Sequence, residues 1–217
     1  MSIRASKSES PSWFLALPPI ALAVLELWHP VIHSGTPTGL EPLVSHADTW
    51  TLVHLAQLVL FGLTAWAVAK LVPNEQARLA LVAKGSLAVF AVAYSAFDTF
   101  AGLATVTVIQ AGQALQPAAL PIAIDLANAL FRSPINATLF LVGTTSWTLG
   151  AGLTAYTLMK QGASRAPTAL LAVAALTLWG DHPPPFGPMT FGLVAAAILW
   201  ISLLSRARRG ESPPSEA

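Results

Sequence analysis

The chemistry this sequence can offer rests on five histidines and a few carboxylates. Four histidines, His29, His33, His46 and His54, fall between Glu26 and Gln57, a stretch that also holds Glu41 and Asp48 but no lysine or arginine. Glu26 and His29 are three residues apart, so on a helix both reach one ion or proton. His29 and His33 have the HxxxH spacing that presents two imidazoles to one metal, although Pro30 between them tends to end a helix there. His54 lies near the start of the next apolar segment, with Gln57 one turn deeper on the same face. The plainer readings are an interfacial carboxylate for Glu26 and interhelical hydrogen bonding for His54 and Gln57.

Asp98 is the most informative single residue. It sits in the apolar run Tyr94-Ser95-Ala96-Phe97-Asp98-Thr99, and an ionisable group within a membrane helix is by default functional and needs a partner. The expected partners are His29, His54 or His182. Ser95 is one turn away on the same face, so Asp98 and Ser95 are the expected catalytic pair, as acid/base and polariser, or as metal ligand and its support. The alternative is a structural Asp–His contact that fixes helix registry. His182 follows Asp181 and precedes Pro183-Pro184-Pro185, a stiff turn that holds the imidazole in place. The expected metal ligands are Glu26, His29, His33, His54 and His182, with zinc the favoured divalent ion. With no cysteine in the chain, thiolate sites, disulfides and cysteine nucleophiles are excluded, and any metal must use imidazole, carboxylate or backbone ligands. No phosphate-binding loop, dinucleotide fingerprint or nucleophile elbow is present, and no nucleic-acid partner is expected.

These residues need elements to position them. Of the 217 residues 54% are hydrophobic and only 10% charged, against about 25% charged in a soluble domain, and the mean hydropathy is +0.64. The chain therefore reads as an all-α integral membrane protein. Six spans are expected, at about 13–29, 49–72, 79–109, 135–159, 167–180 and 186–205. Residues 1–12 and 206–217 read as polar cytoplasmic tails, the second disordered. The first span is read as uncleaved, because no small-residue cleavage site follows it, and Pro18-Pro19 is expected to kink it. The third exceeds the roughly 20 residues needed to cross. Between spans three and four, about 120–132 has Ile122, Leu126 and Leu130 on one face and Asp125, Asn128 and Arg132 on another, the pattern of an interfacial amphipathic helix. Most tryptophans, Trp50 and Trp147 among them, are expected in interfacial belts.

Orientation follows from charge. Arg4, Lys7, Lys70, Arg78, Lys84, Lys160, Arg165, Arg206, Arg208 and Arg209 fall on one side of a six-span topology and Arg132 alone on the other. Ten against one places both termini in the cytoplasm. All five histidines then lie at or near the extracytoplasmic face of the cell membrane, a segregation that the lysine/arginine rule does not itself impose.

The combination of Ser95 and Asp98 with His29 and His33 resembles the alkaline ceramidase and adiponectin-receptor group of membrane hydrolases. That resemblance implies a zinc-dependent hydrolase acting on a lipid or other amphiphile. Two departures stand beside it: the HxxxH comes in the first span rather than the last, and there are six spans rather than seven. Three other readings stay open from the residues alone. Two histidines on facing helices could hold a b-type haem linked to quinone. A metal or proton transporter would need polar residues through the inner half, which is nearly all apolar. A non-catalytic accessory or scaffold subunit would use the histidines for a membrane-complex partner or for stability.

Overall fold

The computed structural model describes residues 13–31, 40–72, 77–180 and 182–209. Among them there is no strand. A 3-10 turn, Trp13–Ala16, leads into α1 (Leu17–Leu27), followed by α2 (Leu43–Leu71) and α3 (Ala77–Asp98). A π-helical turn, Thr99–Ala104, joins α3 to α4 (Thr105–Ala114). Then come α5 (Ala119–Phe131), α6 (Pro134–Lys160), α7 (Arg165–Thr177) and α8 (Phe186–Arg209).

Three stretches are long and apolar enough to cross a membrane: Leu43–Leu71, Ala77–Ala114 and Phe186–Ala207. Trp13–Leu27 and Arg165–Gly180 are apolar but shorter. Helix α6 has 27 residues, and its many threonines lower its hydropathy. The outer surface is apolar in the way a bilayer demands. Along α2, Leu52, Leu55, Val59, Leu63 and Trp66 are all exposed, at the three- and four-residue spacings of one helix face. The polar groups go inward: Glu26, Gln57, Asp98, Thr64, Thr144 and Thr154 are fully buried.

Pro18 and Pro19 fall where the 3-10 turn Trp13–Ala16 passes into α1 and occupy its first turn, where proline's missing N–H has no α-helical partner to lose. One expectation about local structure is corrected. Helix α2 begins at Leu43 rather than near Thr49, because no helix breaker intervenes after Pro42. His54 therefore sits three turns into the helix, well inside the bundle. Helix α5 does form, and it packs through its small residues: Ala123 and Ala127 are buried while Ile122 and Leu126 face outward.

Helix α3 packs chiefly along α6, α7 lies against α6 and α8, and α1 lies against α8 and α2. The centre is aromatic. Phe61, Phe90, Tyr94, Trp147 and Phe191 are wholly buried, with ring centroids 4.9 Å apart for Phe90–Trp147 and 5.0 Å for Phe61–Tyr94. Trp147 is thus a core residue and not part of an interfacial belt, and its Nε1–H donates to the Ala174 carbonyl at 2.9 Å. Trp147→Phe removes that bond and part of the ring. It is expected to cost about 1–3 kcal/mol, read as a lowered unfolding temperature in detergent.

Candidate metal centre

Three imidazoles converge where α1, α2 and the turn before α8 meet. His29 follows the end of α1, His54 lies in α2, and His182 lies in the proline-rich turn ahead of α8. All three are buried. One ring nitrogen of each lies within 4.8 Å of those of the other two. The His29–His54 and His29–His182 ring centroids are 5.0 and 4.9 Å apart.

Backbone carbonyls fix two of the three tautomers. A carbonyl only accepts, so His54 Nδ1–H donates to the Trp50 carbonyl at 2.7 Å, and His29 Nδ1–H donates to the Pro30 carbonyl at 3.0 Å. Each neutral ring is left with a lone pair on Nε2. His29 Nε2 is buried, and no hydrogen bond among the described residues reaches it. This is the usual arrangement of metal-ligating histidine, in which the nitrogen away from the metal is held by a carbonyl or carboxylate.

Asp98 closes one side. Its Oδ1 lies 3.6 Å from His54 Nε2 and 3.8 Å from His182 Nε2, and its side chain is fully buried. These separations are long for hydrogen bonds. They are close to the about 3.3 Å that separates ligands around a tetrahedral zinc with bonds of about 2.0–2.1 Å. The converging donor set is three imidazoles, with the Asp98 carboxylate beside two of them; three imidazoles suit zinc and other divalent first-row metals.

The walls are aromatic and tight. The Trp50 ring stacks on His54 with centroids 4.4 Å apart and stands edge-on to His29 at 4.9 Å. Its Nε1–H donates to the Gly102 carbonyl at 3.0 Å. Gly102 lies in the π turn that follows Asp98. The Gly102 carbonyl also accepts from the Thr105 backbone N–H, so Trp50 adds a second donor to it, and Thr105 Oγ1 donates to the Phe100 carbonyl at 3.0 Å; π turns of this kind are frequent at functional sites. A Cβ at 102 would run into the His54 imidazole, so glycine is what lets this turn approach the cluster. Tyr94, Phe97 and Phe61 stand edge-on around His182 at 5.9, 5.9 and 6.4 Å.

Glu26, on α1 three residues before His29, and Gln57, one turn from His54 on α2, form a second layer. Gln57 Nε2 donates to Glu26 Oε1 at 2.7 Å, and both residues are wholly buried. The Glu26 carboxyl also approaches Gly187, where a Cβ would lie 3.1 Å from it and would overlap the His182 carbonyl. Ser95 Oγ donates to the Leu58 carbonyl at 3.4 Å, across the α2–α3 interface. His46 stands apart, exposed near the start of α2 and bonded to the Pro42 carbonyl. His33 and Asp181 lie outside the described residues.

A cavity of about 200 Å³ opens beside the cluster. His29, His54 and His182 line it together with Val31, Phe97, Phe131 and Phe186. By liquid volume, at about 30 Å³ per water, it holds about seven waters. An apolar pocket with a few convergent polar groups is the usual form of a small-molecule site.

Sequence reasoning missed Trp50 and the π turn. The length of the third apolar run, with Gly102 four residues past Asp98, was the available signal for the turn. Trp50 had none beyond its position one turn before His54. No known protein family, curated protein or solved structure matches the chain.

Proposed function

We propose that the chain is a six-span cell-membrane protein whose extracytoplasmic end carries a divalent-metal centre, zinc by preference, and that this centre hydrolyses a lipid or other amphiphile. One observation carries the metal reading: three buried imidazoles converge, and two of them have Nδ1–H tied to a backbone carbonyl. His29, His54 and His182 would hold the ion. Bound there, the metal would supply a water acidic enough to act as a nucleophile near neutral pH. Asp98, 3.6 Å from His54 and 3.8 Å from His182, would accept that water's proton or complete the ligand set. The cavity supports entry of a small reacting group, and its apolar walls suit the end of an amphiphile. Glu26 with Gln57, and Ser95 with Leu58, are read as supports that set the pitch of α1 and α3 against α2.

The geometry favours this over a haem. The His29 ring lies within about 5 Å of those of both His54 and His182, which are 6.1 Å from each other, so no pair of these rings leaves a porphyrin's space between them. A conduction path is disfavoured because Phe61, Phe90, Tyr94, Trp147 and Phe191 fill the core next to the cluster.

The hydrolase reading is tested with fluorogenic amide and ester amphiphiles. Turnover is expected to stop in chelator, to return with zinc, and to fall at least a thousandfold in Asp98→Ala. Turnover that neither chelator nor Asp98→Ala changes would overturn it. Topology is testable in the same preparation, since the chain has no native cysteine. A cysteine at Ser45 is expected to react with impermeant maleimide from outside the cell, and one at Ser164 only after the membrane is opened.

A further inference from the structure

A groove of about 410 Å³ runs between α6 and α7. Gly152, Ala155 and Tyr156 form one wall and Ala169 and Ala172 the other, with Arg165 at one end. The two helices are antiparallel neighbours joined by a short turn, so Lys160 and Arg165 lie together at that end. Lys160 Nζ sits 5.6 Å over the Tyr156 ring, which lines the groove. Among the described residues no salt bridge ties either cation to a carboxylate. The histidine site is far away: Gly180, which lines its cavity, is fifteen residues beyond Arg165, roughly 20 Å at about 1.5 Å per helical residue.

Gly152 keeps this wall open. A glycine inside a helix weakens it relative to alanine, and close packing is the usual reason to keep one. Here a Cβ would meet nothing within 4 Å. The smallness of residue 152 leaves space that no part of the described chain fills. The surrounding surface, with Leu149, Val173 and Leu176 exposed, is of the kind that faces acyl chains.

We propose that this groove is a binding site for one anionic phospholipid, with an acyl chain between α6 and α7 and the phosphate held by Lys160 and Arg165. A cation pair at one end of an apolar trough matches an amphiphile that carries its charge at one end. A second copy of the chain fits less well, since it would bring further cations of the same sign to that end.

The test uses the purified full chain in detergent and native mass spectrometry with phosphatidylglycerol and phosphatidylcholine of identical acyl chains. The wild type is expected to retain at least fivefold more phosphatidylglycerol, about the effect of one cation near an anionic surface. Lys160→Ala with Arg165→Ala is expected to abolish the preference. Gly152→Leu, whose Cβ meets nothing within 4 Å and whose side chain would enter the trough, is expected to reduce retention of both lipids. Unfolding temperatures matching wild type certify that the variants fold. Equal retention of both lipids by wild type, an unchanged preference in the double variant, or a dimer that Gly152→Leu disrupts would overturn the proposal. Metal content, measured in parallel, reports separately on the histidine site.

Discussion

His54→Ala is expected to weaken metal binding by well over the roughly 100-fold that loss of an outer supporting partner costs. The ring it removes is the best fixed of the three. Its Nδ1–H is held by the Trp50 carbonyl at 2.7 Å, its face is stacked on Trp50, and its Nε2 lies 3.6 Å from Asp98. Removing it leaves His29 and His182 with a gap that the buried chain cannot fill with another donor. Competition against a chromophoric chelator measures the loss. His182→Ala is expected to behave in the same way. His46→Ala, at an exposed histidine bonded to its own helix start, is expected to bind like wild type. Asp98→Ala separates two roles: loss of the metal marks a fourth ligand, and retained metal with lost turnover marks a proton acceptor. Affinity within threefold of wild type in His54→Ala would rule out a shared centre at these residues.

Gly102→Val is expected to damage the centre without altering any ligand. The added side chain must displace the His54 imidazole or unwind the π turn, and overpacking of this kind costs about 1–3 kcal/mol. Both routes also pull on Trp50, whose Nε1–H is bonded to the Gly102 carbonyl. Metal affinity is expected to fall about 10–100-fold, as for other losses of ligand orientation, together with a lower unfolding temperature. Gly62→Ala is the control: it lies in α2, where a Cβ meets nothing within 4 Å, and it is expected to gain about 0.5–1 kcal/mol in stability. Wild-type affinity in Gly102→Val would mean that the π turn does not position His54.

How much of this is legible in the chain differs residue by residue. Asp98 is readable because a carboxylate in an apolar membrane run is costly without a partner, and its nearest imidazoles are two of the three expected, His54 and His182. The meeting of His29, His54 and His182 is not readable, because it depends on α8 lying against α1 and α1 against α2, and nothing in one sequence orders helices around a bundle. A rule about depth puts Trp50 in an interfacial belt, whereas a three-dimensional contact, its stacking on His54, decides its place. The polar run Ser45 to Asp48 resembles a loop, which puts the expected start of α2 too late. With no proline or glycine after Pro42, the helix continues through it. The π turn is signalled only by the length of its apolar run and by Gly102, because Thr99–Ala104 is otherwise as apolar and helix-compatible as its neighbours; the contacts of Trp50 and His54 with it come from another helix.

Elemental analysis with an absorption spectrum, on protein purified without chelator, tests the central claim most directly. One equivalent of a divalent metal per chain, zinc by preference and without a Soret band, is the expected result, with the metal absent from His54→Ala prepared identically. Substoichiometric metal in the wild type, equal metal in the variant, or a Soret band would contradict a metal centre built from His29, His54 and His182.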